Sequence, residues 1–271
     1  MIRQEHRLVD GRTLSWQERG SGPPLVLLHG WSLSGAAFSE LAGLLDGFRV
    51  LLPDLPGHGH SSPPSQATLL ALADDLAAWQ KAAVPEPVLL GGWSLGGMVA
   101  LELATRQDIP IGRLLLVATT PRFTTAVDWP HALPALQVRA LKRNLERRFE
   151  ATLADFFALT FADGEVDAAR LRTIRAFAVH PGGLPDRTAA AALLDLLGVQ
   201  DQRLVLARVT CPTLVVHGVL DRVTPVAAGR ALAAALPRGQ LQEMADAGHA
   251  PFWTRSLAVA RTIREFCAWD R

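Results

Sequence analysis

The sequence has few cysteines, no excess of charge and no long apolar run. Its two cysteines, Cys211 and Cys267, are too few for a disulfide framework or a zinc site. With 27 basic and 26 acidic side chains the net charge is +1, so neither nucleic acid nor an anionic membrane is a predicted partner. No run reaches about 18 apolar residues, and the charged start MIRQEHRLVDGR is unlike a signal peptide. We therefore expect a cytoplasmic protein that works as a monomer.

What the chain does contain is a regular alternation of short apolar runs and helical spacing. Strand-like runs lie at 6–9, 14–18, 24–30, 49–59, 87–92, 113–119, 213–218 and 240–244. Helical patterns lie at 66–83, 94–106, 226–236 and 254–269. Strands that are apolar along their length and alternate with helices indicate an α/β fold. We predict a mostly parallel central sheet with helices on both faces.

Residues 120–187 interrupt this alternation. The segment is helical in pattern, rich in arginine and bounded by prolines, and it contains no strand-like run. A helical insertion in a parallel sheet is most simply a cap over the strand ends. We therefore predict a core domain, residues 1–119 and 188–271, with a helical cap at 120–187, called the cap segment below.

Ser94 lies in the stretch Gly92-Trp93-Ser94-Leu95-Gly96, between an apolar run and a helical pattern. This G-x-S-x-G sequence is typical of a nucleophile elbow, in which a strained strand-to-helix turn presents the serine hydroxyl. Glycines around the serine allow a close backbone approach that a Cβ atom would block. The helix N-terminus favours negative charge that develops there. Ser94 is therefore the predicted nucleophile.

Asp221 and His249 each follow a later predicted strand, in HGVLDRVTP and DAGHAPF. The order Ser, Asp, His is that of α/β hydrolases. A neutral serine is a poor nucleophile near neutral pH, so His249 would remove its proton and Asp221 would orient the imidazole. Asp246 is a rival acid, but it lies only three residues before His249 and suits a turn better. The alternative interpretations are not catalytic. In these, Asp221 is a turn residue before a helix capped by Thr224, and His249 is an ordinary loop histidine.

An ester carbonyl that is attacked by Ser94 needs donors for its developing oxyanion. The N–H of Leu95, next to the nucleophile, is one candidate, and the N–H of Trp31 in the loop after the run 24–30 is the other. His29 would brace that loop. The sequence contains no cluster of metal ligands and no phosphate-binding loop, so no metal and no cofactor is predicted.

The whole chain resembles the α/β-hydrolase superfamily and, within it, the methyl ester carboxylesterases that act on pimeloyl-[acyl-carrier protein] in biotin synthesis. The stretches that carry this resemblance are LVLLHGWSL (25–33), LPDLPGHGHS (52–61), GGWSLGGMVALELA (91–104), VATTPRFTTAVDWP (117–130), FFALT (156–160), HGVLDRVTP (217–225) and HAPF (249–252). The resemblance implies the α/β-hydrolase fold and hydrolysis of this methyl ester to pimeloyl-[acyl-carrier protein] and methanol. It assigns catalysis to Ser94, Asp221 and His249.

The resemblance also implies substrate contacts and a transient partner, the acyl-carrier protein that bears the substrate. The implied substrate contacts are Trp31, Ser94, Leu95, Phe156, Phe157, Ala158, Leu159, Thr160 and His249. An acyl-carrier protein is acidic, so a basic cap would attract it. The candidate docking residues are Arg139, Lys142, Arg143, Arg147, Arg148, Arg170, Arg172 and Arg175. Alternatively, the basic residues form a solvated helix face, and the apolar residues of FFALT pack the cap against the core.

Other functions remain open on the residues alone. A general short-chain carboxylesterase, or a carbon–carbon bond hydrolase acting on a small metabolite, would use the same three residues. A ligand receptor on this fold would not need them, so the complete set argues against one. Haloalkane dehalogenases and most epoxide hydrolases are disfavoured, because their nucleophile is an aspartate where this chain has Ser94.

Overall fold

A single eight-stranded sheet runs through the computed structural model, which describes residues 1–268. Its strands are β1 (Ile2–Arg7), β2 (Thr13–Arg19), β3 (Pro24–Leu28), β4 (Arg49–Pro53), β5 (Val88–Trp93), β6 (Ile111–Val117), β7 (Thr213–Gly218) and β8 (Gly239–Met244). Their order across the sheet is β1-β2-β4-β3-β5-β6-β7-β8. Strands β3 to β8 pair in parallel, whereas β2 pairs antiparallel with both β1 and β4. The predicted α/β-hydrolase sheet is confirmed.

Ten α-helices occur among the described residues. They are α1 (Ser39–Gly43), α2 (Leu69–Ala83), α3 (Leu95–Ala104), α4 (Ala135–Arg147), α5 (Phe149–Leu159), α6 (Ala168–Ala178), α7 (Arg187–Val199), α8 (Val226–Ala235), α9 (Pro251–Thr254) and α10 (Ser256–Ala268). The predicted helix 254–269 is observed as α9 and α10, with a break at Arg255. Its last predicted residue, Trp269, lies outside the described residues.

Alternating side chains on the central strands build a hydrophobic core on each face of the sheet. In β3, Val26 and Leu28 pack in one core, and Leu25 and Leu27 pack in the other. Successive strand residues point to opposite faces, so a fully apolar strand must be covered twice. Helices α2, α3 and α8 supply apolar side chains to the first core, and α1 and α10 supply them to the second. The prediction of helices on both faces is therefore confirmed.

The chain between β6 and β7 is helical. The cap segment contains α4, α5 and α6, and α7 begins at its end. Val138 and Leu145 lie on the buried side of α4, while most of that helix is polar and exposed. Helix α4 packs on α5 and α7, and α6 packs on α1. The division of the chain into a core and a cap domain stays a prediction.

Strand β1 differs from its prediction, which placed a strand at 6–9. The observed strand, IRQEHR, is an exposed edge strand with almost no apolar signal. It forms because backbone groups pair with β2 in register from Ile2 opposite Glu18 to Arg7 opposite Thr13. Backbone pairing does not depend on side-chain hydropathy, so the pattern could not reveal it. None of the helices within residues 1–268 combines the length and apolarity that a bilayer crossing requires.

Candidate active site

Ser94 occupies a strained turn between β5 and α3. Its backbone has φ 54° and ψ −118°, a conformation that a residue with a Cβ rarely adopts. Two hydrogen bonds hold the turn: the Ser94 N–H donates to the Val117 carbonyl at 3.0 Å, and the Thr119 hydroxyl donates to the Ser94 carbonyl at 2.7 Å. The structure thus places Ser94 at the strand-to-helix junction that the sequence predicts.

The glycines beside Ser94 allow α3 to lie against the end of β3. A Cβ atom at Gly96 would overlap the carbonyl oxygens of Leu28 and His29, and one at Gly92 would overlap the carbonyl of Gly96. These obstacles are backbone atoms, which cannot move aside as a flexible side chain can. The first turn of α3 is thereby packed directly against the loop that carries Trp31.

Asp221 and His249 meet at the same end of the sheet. Asp221 follows β7 and His249 follows β8, and His249 Nδ1 lies 2.7 Å from Asp221 Oδ2. Both side chains are buried. The indole N–H of Trp93 donates to the His249 carbonyl at 2.8 Å, which fixes His249 beside the residue that precedes Ser94. Ser94, Asp221 and His249 are thus brought together at the carboxyl ends of β5, β7 and β8.

Several donors surround the Asp221 carboxylate. Its Oδ1 accepts the N–H groups of Val223 and Thr224 at 2.7 and 2.8 Å, and its Oδ2 accepts the Thr224 hydroxyl at 2.8 Å. Burial by itself raises the pKa of Asp221, but the charge of His249 and hydrogen bonds from His217 and His249 outweigh it and hold that pKa well below its usual range. Asp221 is therefore a permanently charged partner for His249.

His217 and Thr224 are site residues that the sequence reasoning missed. His217 is fully buried, and its Nε2 lies 2.7 Å from the Thr224 carbonyl and 3.3 Å from Asp221 Oδ2. The alternative in which Thr224 caps a helix is wrong, because α8 begins at Val226 with Pro225 as its N-cap. The sequence signal that could have revealed His217 was its position four residues before Asp221, across a tight turn.

Asp246, the rival acid, lies outside this cluster. Its carboxylate pairs with Arg255 at 2.6 Å, and its side chain is 70% exposed. His249 Nδ1 donates its hydrogen bond to Asp221 instead. The geometry therefore favours Asp221 over Asp246 as the carboxylate partner of His249.

The two predicted oxyanion donors belong to adjoining elements. Leu95 is the first residue of α3, so its N–H has no acceptor within the helix. Trp31 lies in the loop after β3, which two buried histidines hold in place. His29 Nε2 accepts the Leu55 N–H at 2.8 Å, and His58 Nε2 accepts the Ser32 N–H at 3.1 Å.

Both of these histidines are neutral. Burial lowers the pKa of His29 to about 4. Burial, and then the neighbouring His29, lowers the pKa of His58 to about 3. Each ring keeps its proton on Nδ1, which lies 2.8 Å from the Gly30 carbonyl in His29 and 3.2 Å from the Pro56 carbonyl in His58. Neutral rings can accept the N–H groups that fix the loop, whereas charged rings could not.

The five residues of FFALT reach different surroundings. Phe156 packs edge-on against Trp31, with ring centres 4.9 Å apart. Phe157 packs against Trp253 and Phe161 in the second core. Ala158 and Leu159 are exposed, whereas Thr160 is buried and its carbonyl accepts the His249 N–H at 2.8 Å.

A family model described as alpha/beta hydrolase fold matches residues 23–256. The chain belongs to the α/β hydrolase family. It is 38% identical over 250 residues to a Chromobacterium violaceum protein named pimeloyl-[acyl-carrier protein] methyl ester esterase, with 91% of this chain and 94% of that protein covered. A Stenotrophomonas maltophilia protein of the same name is also 38% identical, with 92% and 94% covered.

Solved structures agree on the fold of this α/β hydrolase. An esterase from Exiguobacterium antarcticum has a TM-score of 0.89 at 23% identity, covering 97% of this chain and 98% of that one. A thermophilic esterase from Thermogutta terrifontis, solved with malate bound, has a TM-score of 0.79 at 28% identity, with 98% of both chains covered.

The candidate docking cations of this α/β hydrolase differ in how far they are paired. Lys142 forms an ion pair with Asp195, and Arg170 forms a two-pronged pair with Glu40. Arg175 lies over the ring of Phe157, 5.5 Å from its centre. The exposed residues among the others are Arg139, Arg143, Arg147, Arg148 and Arg172. Within residues 1–268, no three His, Cys, Asp or Glu side chains are grouped so as to hold a metal ion.

We expect Gly96→Ala to destabilise the protein by about 1–3 kcal/mol, because its Cβ would push α3 away from the backbone of β3. Urea unfolding would measure the change. Gly198→Ala in α7 is the matched control: its Cβ would make only an ordinary contact, with Val138 at 3.7 Å. That control should equal or exceed wild-type stability. Equal stability of Gly96→Ala and wild type would contradict the packing described for the elbow.

We expect the free energy of unfolding to fall as the pH drops below about 6.5. The folded pKa values of His29 and His58, about 4 and about 3, lie below the 6.5 that is usual for an exposed histidine, so the unfolded chain binds more protons in this range. Each histidine should contribute a slope of roughly 1.4 kcal/mol per pH unit until its folded pKa is reached.

Urea titrations of wild type and His58→Gln between pH 7 and pH 4.5 would measure this slope. The glutamine oxygen can still accept the Ser32 N–H, and the variant should lose about one histidine's share of the slope. His180→Gln, at an exposed position, should keep the wild-type slope. An unchanged slope in His58→Gln would show that His58 is not buried neutral.

Proposed function

We propose that this chain is a serine carboxylesterase that hydrolyses the methyl ester of pimeloyl-[acyl-carrier protein] to pimeloyl-[acyl-carrier protein] and methanol, in biotin synthesis. The observation that carries the chemistry is the buried Asp221–His249 hydrogen bond beside the strained turn at Ser94. The substrate is supported by the relatives of that name, which match over nine-tenths of the chain.

In the proposed acylation step, His249 Nε2 removes the Ser94 proton as Oγ attacks the ester carbonyl carbon. The C=O bond opens to a tetrahedral oxyanion. His249 then gives its proton to the methoxy oxygen, the C–O bond to that group breaks, and methanol leaves. Asp221 Oδ2 accepts the hydrogen bond of His249 Nδ1 at 2.7 Å. This contact would keep the imidazole proton on Nδ1 and stabilise the charged ring.

Deacylation repeats these steps with water as the nucleophile. His249 takes a proton from water, the hydroxyl attacks the acyl carbon, and the proton is returned to Ser94 Oγ as the acyl–serine bond breaks. In both steps the N–H groups of Leu95 and Trp31 would bind the oxyanion. Loss of one such donor typically raises the barrier by roughly 2.7–4 kcal/mol.

The acyl chain would lie between the loop after β3 and the cap segment. Trp31 and Phe156 form an apolar contact there, and Trp31 is fixed by a hydrogen bond from its indole N–H to the Ala190 carbonyl at 2.9 Å. A cavity of about 210 Å³ has Leu33, Phe157 and Arg175 in its wall, together with Ser32, the residue that follows Trp31. These side chains suit a linear acyl chain whose far end leaves the protein toward its carrier.

Carrier docking is proposed for the outer face of α4. Arg139, Arg143 and Arg147 recur every four residues, so they lie along one exposed side of the helix. An acidic carrier would be attracted to such a row and would leave it more readily at high salt. Lys142 and Arg170 are less available, because acidic residues of this chain already pair with them.

We expect Ser94→Ala to abolish turnover of the carrier-linked methyl ester and of a small chromogenic ester. Asp221→Asn should lower kcat by roughly 10⁴, because the amide cannot hold the required imidazole tautomer. Steady-state kinetics would measure both, and Asp246→Asn is the matched control with an expected rate near wild type. Retention of activity by Ser94→Ala would overturn the proposed mechanism. Hydrolysis of small esters without the carrier-linked ester would instead favour a general carboxylesterase.

We expect the double charge reversal Arg143→Glu/Arg147→Glu to lower kcat/KM for the carrier-linked ester by tenfold or more at low salt. The small ester should be hydrolysed at the wild-type rate, because both side chains are exposed on α4, whereas the Asp221–His249 pair is buried. Arg261→Glu, an exposed position on α10, is the control for a change of charge elsewhere. Equal losses on both esters, or no loss on either, would contradict docking at α4.

A further inference from the structure

Glu165 of the cap segment forms hydrogen bonds with the loop that carries His249. Its Oε1 accepts the Gly248 N–H at 2.9 Å and the Thr254 hydroxyl at 2.6 Å. Its Oε2 accepts the Ala162 N–H of the cap at 2.7 Å. One carboxylate thus joins the cap to both sides of His249, at the residue before it and at the end of α9.

The backbone of the same segment adds two further ties. The Thr160 carbonyl accepts the His249 N–H at 2.8 Å. The guanidinium of Arg222, next to Asp221, donates to the Phe161 carbonyl at 2.8 Å and to Asp163 at 2.8 Å. Residues 160–165 therefore contact the loop that carries Asp221 as well as the loop that carries His249.

Gly248 allows this close approach. A Cβ atom at Gly248 would lie 2.7 Å from both Glu165 Oε2 and the Thr160 carbonyl oxygen. Since real Cβ atoms essentially never come so close, any larger residue would push the loop and the cap apart. The glycine before His249 is thus matched to a particular position of Glu165.

We propose that Glu165 is a positioning residue, which holds the His249 imidazole in line between Ser94 and Asp221 from within the cap. This inference rests on the proposed function, since it takes His249 as the general base. Glu165 acts on the backbone on either side of His249, not on the imidazole. Small displacements of a catalytic group, on the order of 1 Å, can lower a rate by roughly 10²-fold.

The test compares Glu165→Ala, Glu165→Gln and Glu40→Ala on a small chromogenic ester, p-nitrophenyl butyrate, which needs no carrier. We expect Glu165→Ala to lower kcat by 10- to 100-fold with KM within about threefold of wild type. Glu165→Gln should recover most of the rate, because its amide oxygen can still accept from Gly248 and Thr254. Glu40→Ala removes another carboxylate that joins the cap to the core, through Arg170, and should stay within about twofold of wild type.

A double-mutant comparison separates positioning from general loss of structure. In a His249→Ala background there is no imidazole to position, so adding Glu165→Ala should leave the residual rate unchanged. A further 10-fold loss in that background would overturn the proposal, as would a wild-type kcat in Glu165→Ala or an equal loss in Glu40→Ala. If wild type and Ser94→Ala turn the ester over equally, the proposed function itself fails. If Ser94→Ala is inactive and Glu165→Ala is as fast as wild type, only the role of Glu165 fails.

Discussion

The arrangement of the site depends on the burial of one charge, the Asp221 carboxylate. Transfer of a carboxylate from water into a protein interior costs several kcal/mol unless donors replace the lost water. Here the donors come from three parts of the chain: the turn after β7, His217 at the end of β7, and His249 after β8. The turn after β7 and the loop after β8 must therefore both pack against the Asp221 carboxylate. In that arrangement His249 lies beside Trp93, the residue that precedes Ser94.

The buried imidazoles of this protein serve two different purposes. Within residues 1–268 no carboxylate forms an ion pair with His29 or His58, so burial keeps them neutral and lets each accept a backbone N–H. They tie the loop after β3 to the loop after β4. His249 is buried against the Asp221 carboxylate, which accepts from Nδ1 at 2.7 Å and so fixes the orientation of the ring. The same type of side chain thus fixes the loop that carries Trp31 and, in the proposed mechanism, would transfer protons beside Ser94.

The sequence predicted those features that side-chain type determines. Continuous apolar runs revealed β3 to β7, and glycines around Ser94 revealed the turn whose close packing only glycine permits. Features made by backbone groups escaped it: β1 pairs through its main chain, and Thr160 reaches His249 through a carbonyl that any residue would supply. FFALT was grouped as one contact surface, but helical geometry turns Phe156 inward and Leu159 outward. His217 escaped because its role depends on how the following turn folds back.

Because Thr160 and Glu165 follow directly on α5, the cap segment has two tasks within a few residues. Phe156 meets Trp31, where an acyl chain would lie, and one turn later the same chain supports the loop of His249. A cap that opened by moving the end of α5 would break the contacts to Gly248, His249 and Arg222 together. Opening at α4 or at the start of α5 leaves those contacts intact. If the proposed function holds, substrate entry from the α4 side would keep the base in position, and Arg139, Arg143 and Arg147 are exposed on that helix.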